Sequence, residues 1–365
     1  MNRKKTISLL VLIILFSLSF YLYKINYTSR GEINSLINKS YGKTLNSQLK
    51  TKIKSGNLVT DYSIDEAMED IDKFQLNTLN VPIAINIDNA QASDMSIIDY
   101  SKQKAIDLLN RLKGKKINII LEPYPWIANG KFAETDWNPS NINDFFNNWK
   151  SKVLKPLIDD IAIPYHVDAL NIGTSFEHME GYEKAMCDMV DYARKYYKGL
   201  ITYRTNHWNT AVWDSNSLEA YNKKLNNNLF LKLDFISIAA YFELTENAVN
   251  SQDKLSAALE STEIYGRKQN VKGEIKKFYD KYKKPIFFGE LGFPRTEFAS
   301  KEPWNPLVSK NINEEEQANC FAAYRKVFEK ESWNIGFSVF ALGKADGNLY
   351  YPGSKGGSII KNWYK

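Results

Sequence analysis

The feature that most constrains the fold of this chain is a regular alternation of short apolar segments with helical segments. Eight of the apolar segments have the length and composition of β-strands. Eight alternating β and α units predict a closed (β/α)8 TIM barrel rather than an open sheet. The predicted strands cover residues 56–60, 79–87, 117–121, 167–173, 200–203, 235–241, 285–290 and 335–340.

The composition fits one large globular domain. The chain has 365 residues, of which 44% are hydrophobic and 25% charged, enough to bury the core of a single barrel. Aromatic residues make up 13%, and some of these rings could serve as platforms for sugars. The net charge of +6 is spread along the chain, so we expect no nucleic-acid partner.

The N-terminus carries a membrane signal. The basic residues Arg3, Lys4 and Lys5 precede an apolar stretch at 7–23, and no small-x-small cleavage site follows. This pattern is typical of a signal anchor or a signal peptide, and we favour an anchor with the rest of the chain outside the cytoplasm. The protein is then membrane-anchored and extracytoplasmic, or secreted if the segment is cleaved.

The chain therefore divides into three parts. Residues 1–26 form the anchor or signal, 27–48 a polar stalk or linker, and 49–365 the barrel. Cys187 and Cys320 are the only cysteines. They could form one disulfide in an oxidising compartment, or remain unpaired core residues.

One strand ends in a carboxylate. The segment from Pro285 to Gly292 carries Glu290 to its Gly-flanked end. A buried carboxylate without a partner costs several kcal/mol, so Glu290 is either paired structurally or faces a polar cleft. The C-terminal ends of the strands form the active face of a TIM barrel, which favours the cleft.

Other polar and aromatic residues follow the remaining strands. Three carboxylates beside Trp and Tyr suit glycoside hydrolysis, in which two carboxyl groups flank the scissile bond. Glu177 could instead be an ordinary charge at a helix N-terminus, and Glu122 a buried partner of Arg204 or of a lysine. The candidates are Glu122, Trp126, Ser175, Glu177, Arg204, Asn206, Trp208, Tyr241 and Glu290.

Other chemistries find little support in the sequence. The three histidines, His166, His178 and His207, are scattered, and no HxxxH, HxH or CxxC pair occurs. The chain also lacks a Gly-rich phosphate loop and a G-x-S-x-G elbow. We expect neither a catalytic metal nor a cofactor.

The chain resembles the clan A barrel glycosidases, and most closely glycoside hydrolase family 113, which is β-mannanase-like. The resemblance runs from about residue 55 to the C-terminus and is carried by segments 169–174, 199–208, 233–242, 285–292 and 351–364. It implies that Glu290 is the nucleophile, that Tyr241 contacts it, and that the acid/base follows the fourth strand.

Two positions depart from the family pattern. Ser175 stands where the family has its acid/base Glu, and Glu177 follows two residues later. Glu177 reaches the mouth if the strand continues that far, whereas a turn would leave Glu122 or no residue in this role. Val339 and Phe340 stand where a Trp platform is expected.

The sequence thus predicts a retaining glycoside hydrolase for a β-linked polysaccharide, either mannan-like or from a cell wall. Glu290 attacks the anomeric carbon and Glu177 acts as acid and base, with carboxyl groups about 5 to 5.5 Å apart. The alternative is a barrel that binds glycans without cleaving them, having lost the usual acid.

Overall fold

Eight parallel strands close into a barrel in the computed structural model, which describes residues 52–261 and 268–365. The strands are β1 (Ile53–Leu58), β2 (Thr78–Ile87), β3 (Ser96–Ile97), β4 (Asn118–Ile127), β5 (Ala169–Thr174), β6 (Leu200–Asn206), β7 (Ile236–Ala239), β8 (Ile286–Leu291) and β9 (Asn334–Leu342). Pairing of β1 with both β2 and β9 closes the ring, and the short β3 pairs antiparallel with β2 outside it. The predicted TIM barrel is confirmed.

Helices surround the barrel and bury one face each against it. In the first helix Ser63 accepts a hydrogen bond from the N–H of Glu66 at 3.4 Å, and Ala67, Ile71 and Phe74 lie on the buried face. The helices are α1 (Ile64–Phe74), α2 (Asp99–Arg111), α3 (Ile142–Asn148), α4 (Lys155–Leu157), α5 (Glu183–Tyr196), α6 (Ser215–Leu225), α7 (Leu229–Lys232), α8 (Gln252–Glu260), α9 (Val271–Tyr282), α10 (Glu314–Phe328) and α11 (Ser354–Asn362). The sequence did not predict α7, α8 and α11.

Strand β4 is longer than the sequence predicted. It continues past Leu121 through Pro123 and Pro125 and pairs with β2 along its whole length. Its pairing with β5 involves only Ile120 and Leu121, so no partner on that side needs the N–H groups that the prolines lack. Glu122 therefore lies within the barrel wall and not at a strand end.

The barrel interior changes from apolar to polar along its axis. A separate apolar cluster fills the end where the strands begin, with Ile53, Ile120, Ala169, Leu200, Phe235, Phe287 and Ile335. Two positions further along the chain, five of the seven strands carry a buried polar residue, namely Ser55, Glu122, Asn171, Thr202 and Ser237, and the other two carry Gly289 and Phe337. Because side chains alternate along a strand, this second layer faces the same interior. The polar layer leads towards the C-terminal ends of the strands.

Several predictions concern other parts of the chain. The anchor or signal at 1–26 and the stalk at 27–48 lie outside the described residues. Within the described residues, no helix is long and apolar enough to cross a membrane. Cys187 in α5 and Cys320 in α10 are both free and buried, in agreement with the unpaired alternative.

Asp168, just before β5, gives a test of the fold. Burial raises its pKa from 3.8 to about 7, although its carboxylate accepts a hydrogen bond from the N–H of Ile119 at 2.9 Å. Since the folded-state pKa lies above the unfolded one, the stability from this group is present at low pH and is lost as pH rises towards 7. An amide keeps the acceptor without the charge. We expect the free energy of unfolding of Asp168→Asn, relative to that of the wild type, to increase by a few kcal/mol as pH rises from 5 to 8. Urea unfolding at each pH measures this difference. A difference that does not change with pH would contradict this.

Candidate active site

A cavity of about 480 Å³ opens at the C-terminal end of the barrel. Its volume is within the range of small-molecule sites, and it combines charged groups with aromatic walls. Three carboxylates and three of its rings are the main features, namely Glu134, Glu177, Glu290, Tyr124, Tyr241 and Trp304. The active face predicted from the strand ends therefore contains a site of suitable size.

Glu290 reaches this cavity through an irregularity in β8. The pairing register shifts next to Glu290 on both neighbouring strands, which is the mark of a bulge that turns a side chain to the other face. The preceding Gly289 allows a close approach, because a Cβ there would lie 1.9 Å from Oγ of Ser237 and 2.9 Å from Cδ of Arg204. Glu290 is 8% exposed, at the floor of the cavity.

Arg204 of β6 joins two carboxylates in the barrel interior. Its Nη2 lies 2.7 Å from Oε1 of Glu290, and its Nη1 lies 2.6 Å from Oε2 of Glu122. Its Nε donates to Oγ1 of Thr174 at 2.9 Å, and its side chain is 1% exposed. The predicted alternative for Glu122, a buried partner of Arg204, is confirmed.

Glu122 is also held by two amides. Its Oε2 accepts hydrogen bonds from Asn80 at 3.2 Å and from Asn171 at 3.4 Å. A carboxylate that already accepts from a guanidinium and two amides holds these groups in place. Glu122 is therefore a buried partner of Arg204, and it does not line the main cavity.

Opposing effects determine the pKa of Glu290. Burial raises this pKa to about 7, the charge of Arg204 works against the rise, and the carboxylates Glu134 and Glu122 add to it. A hydrogen bond from Tyr241 also favours the ionised form. Burial and the adjacent Glu290 raise the pKa of Tyr241 well above 10, so this phenol stays a donor. Tyr241 thus lies where the family resemblance implied.

The chain turns directly after β5. Ser175 has a φ of +49°, in the left-handed region, and its N–H donates to the carbonyl of Arg204 at 2.9 Å. The strand ends at Thr174, so the extended path that would carry Glu177 inward is absent. Glu177 is exposed and lies at the boundary between the main cavity and a second cavity of about 560 Å³.

The other predicted residues are divided between cavities. Ser175 and Asn206 line the main cavity, whereas Trp126 lines a smaller one of about 120 Å³ that Glu122 and Glu290 also border. Trp208 packs against Phe242 and Phe278 and donates its indole N–H to Glu274 at 2.9 Å. Its ring borders only the second cavity, so it does not share the site of Glu290.

Several residues that line the cavity were not among the candidates from the sequence, and Glu134 and Trp304 are the two with the clearest chemical use. Glu134 follows β4 in a loop, and Trp304 follows β8. The ring of Trp304 is 41% exposed and stacks on His207 at 5.4 Å between centroids, as a sugar platform could. The available signal was that both belong to loops after strands, on the active face of a barrel.

The described residues contain no group of three His, Cys, Asp or Glu side chains that could hold a metal ion.

Solved structures with the same fold include glycosidases. The chain matches a GH113 β-1,4-mannanase with a TM-score of 0.66 and 20% identity, over 86% of this chain and 98% of that one. It matches the GH113 β-mannanase of Alicyclobacillus acidocaldarius with a TM-score of 0.65 and 14% identity, over 86% and 97%. A β-glucuronidase from Ruminococcus gnavus matches with a TM-score of 0.54 and 12% identity, over 86% and 49%.

Sequence comparisons add the family. A search of curated proteins found no match. The family model described as Glycoside Hydrolase Family 113, however, matches residues 53–350, which is most of the chain. Together with a barrel that carries Glu290, Arg204 and Tyr241 at its active face, this match establishes that the chain belongs to glycoside hydrolase family 113.

Proposed function

We propose that this protein hydrolyses a β-linked polysaccharide with retention of configuration, with Glu290 as the nucleophile. The observation that carries the proposal is the position of Glu290. It lies at the floor of the cavity, paired with Arg204 at 2.7 Å and hydrogen-bonded by Tyr241. Both partners favour the ionised carboxylate that a nucleophile needs.

The reaction has two steps. Glu290 attacks the anomeric carbon while a second carboxyl group protonates the departing oxygen, and water then releases the sugar from Glu290. Retention requires about 5 to 5.5 Å between the two carboxyl groups. Glu177, the candidate from the sequence, and Glu134 both line the cavity with Glu290.

The proposed substrate is a mannan-like or cell-wall glycan. The structural neighbours described as β-mannanases support a β-mannan. The cavity adds a partly exposed Trp304, whose ring suits stacking against the apolar face of a sugar. Phe340 borders the same cavity, near the position where the family resemblance implies a Trp.

A second candidate function follows from Ser175. A hydroxyl cannot replace the carboxyl acid that the family has at this position. If no other group supplies the proton, the barrel binds glycans without cleaving them. Binding without cleavage by the wild type would favour this candidate.

The role of Glu290 can be tested by Glu290→Gln. We expect turnover to fall about 10⁴-fold or more, because no other group can form the covalent intermediate, while glycan binding remains. Proton NMR of the wild-type reaction should show the β-anomer first, and a fluoro-sugar inactivator should label Glu290.

Glu297→Gln is the matched control. Glu297 is seven residues further along, outside the cavity, and its carboxylate accepts from Asn311 at 2.8 Å. The turnover of Glu297→Gln should match that of the wild type. An α-anomer as the first product, or full activity of Glu290→Gln, would overturn the retaining mechanism.

The hydrogen bond from Tyr241 leads to a prediction about pH. Its removal in Tyr241→Phe should raise the pKa of Glu290 by about one unit above its value near 7, because the ionised form loses a donor. The acidic limb of kcat/KM should then move to higher pH, and carbon NMR of the glutamate side chains should show the same shift.

Tyr350→Phe provides the comparison. Tyr350 lines the same cavity, but its hydroxyl donates to the carbonyl of Pro303 at 2.9 Å. The pKa of Glu290 should stay unchanged in this variant. Equal shifts in both variants would show that the hydrogen bond from Tyr241 is not the cause.

The location of the protein is a separate proposal that rests on residues 1–26. We expect the full-length chain to fractionate with membranes in its native cells, because the basic residues precede an apolar stretch. Protease added outside intact cells should digest the barrel. Recovery of the full-length chain from the soluble cytoplasm would contradict this.

A further inference from the structure

The cavity contains a restricted choice of proton donors. Within the part of the chain that the structure describes, only three carboxylates line it, Glu134, Glu177 and Glu290. Glu290 is the proposed nucleophile. Glu122 lies below it, already bound to Arg204 and two amides. The acid is therefore to be sought in Glu134 or Glu177.

Glu134 is held in place by a structured loop. It begins a 3-10 turn, Glu134–Asp136, in which the N–H of Ala133 donates to Oδ2 of Asp136 at 3.0 Å. The N–H of Trp137 donates to the carbonyl of Glu134 at 3.2 Å. The ring of Trp137 is buried, and its indole N–H donates to the carbonyl of Ala92 at 2.9 Å. This anchoring positions the half-buried Glu134 at the cavity wall.

Tyr124 connects Glu134 with the floor of the cavity. Tyr124 lies on β4 inside the cavity and donates a hydrogen bond to Glu134. Burial raises the pKa of Tyr124 well above 10, and the charges of Glu134 and of Glu290 raise it further. The phenol is thus close to both carboxylates, which places Glu134 and Glu290 on the same part of the cavity.

The charge of Glu134 also acts on Glu290 directly. After burial and Arg204, Glu134 has the largest influence on the pKa of Glu290, ahead of Glu122. Glu134 and Glu290 line the same cavity, so the charge of one carboxylate acts on the other across it.

Glu177 has a different environment. It is exposed, it follows the left-handed turn at Ser175, and it borders the second cavity as well as the first. Burial raises the pKa of Tyr203 well above 10, the charges of Glu180 and Glu177 raise it further, and its hydroxyl accepts from the N–H of Phe176 behind the cavity wall. An exposed carboxylate at a rim is poorly placed for proton transfer at a bond held over Glu290.

We propose that Glu134, supplied by the loop after β4, is the general acid and base that works with Glu290. The inference rests on the hydrolytic function proposed above and names a residue for its second role. Because β3 lies outside the ring, β4 is the third strand of the barrel and β5 the fourth. The acid therefore belongs to a different loop from the one after the fourth strand that the family resemblance implied. Tyr124 is then a positioning residue that orients Glu134.

The two steps balance in protons and bonds. A carboxylate oxygen of Glu290 bonds to the anomeric carbon, the glycosidic bond breaks, and the proton of Glu134 passes to the leaving oxygen. Water then attacks the same carbon and gives a proton to Glu134, while the bond to Glu290 breaks. One product carries a free hydroxyl at the former glycosidic oxygen, the other carries a hemiacetal at its new reducing end, and both carboxyl groups return to their initial state.

Kinetics of alanine variants test the role. On phenyl β-mannobioside, Glu134→Ala should lose about 10² to 10⁴ in kcat/KM, because this leaving group needs a proton. On the dinitrophenyl analogue, whose leaving group needs no proton, the loss in kcat/KM should be much smaller. Added azide should restore turnover of the dinitrophenyl substrate and give the β-glycosyl azide, since azide needs no base.

Glu177→Ala is the matched comparison and should show neither the dependence on the leaving group nor the rescue by azide. If Glu177→Ala shows both signatures and Glu134→Ala neither, the inference is wrong while the retaining mechanism stands. If the wild type binds but does not cleave β-mannan or either mannobioside, the proposed function fails and the role of Glu134 fails with it.

A titration tests the geometry without any activity. In Glu134→Gln the pKa of Glu290, followed by carbon NMR, should fall, because a neighbouring negative charge is removed. Glu177→Gln should leave it unchanged. A fall in Glu177→Gln alone would place the wrong carboxylate beside Glu290 and overturn the inference.

Discussion

The site depends on one guanidinium buried between two carboxylates. Moving any of these three charges out of water alone would cost several kcal/mol, and the arrangement is tolerable because each charge has a close partner. Arg204 reaches Glu122 at 2.6 Å and Glu290 at 2.7 Å, and the amides of Asn80 and Asn171 accompany Glu122. Removal of Arg204 would leave both carboxylates buried without a cationic partner. The polar layer contributes Asn171, whose amide donates to Glu122.

The same interaction also helps to set the pKa of Glu290. Burial disfavours its charge, while Arg204 and Tyr241 favour it, and the resulting pKa of about 7 lies far above that of an exposed glutamate. A carboxylate balanced in this way responds strongly to each neighbour, because small changes in charge or hydrogen bonding move its titration through neutral pH. Gly289 contributes by the absence of a side chain, since a Cβ would displace Ser237 and Arg204.

The backbone after β5 gives a physical reason why the departure from the family pattern at Ser175 matters. The backbone after β5 leaves the strand at Ser175, and the next carboxylate, Glu177, is carried to the rim. The loop after the neighbouring strand β4, anchored by the buried Trp137, holds Glu134 beside Tyr124. A barrel presents the loops of all its strands to one cavity, so a chemical role can belong to a different strand without a change of fold. A chain of this family can therefore lack the carboxylate after its fourth strand and still have other carboxylates in the cavity of Glu290.

Much of this protein could be predicted from its sequence, because local patterns encode strands and helices. The alternation of β and α segments predicted the barrel, and Glu290 and Tyr241 were recognised at the ends of their strands. The β4 extension through Pro123 and Pro125 was missed, since it depends on which neighbours pair with the strand. So was the bulge that turns Glu290 inward, which is visible only as a shift in register between strands. By itself the sequence determined the order of elements and the residue types available at the active face. Only the tertiary structure decided which of them meet, because Arg204 and Glu122 are 82 residues apart and Glu134 approaches Glu290 only after the barrel closes.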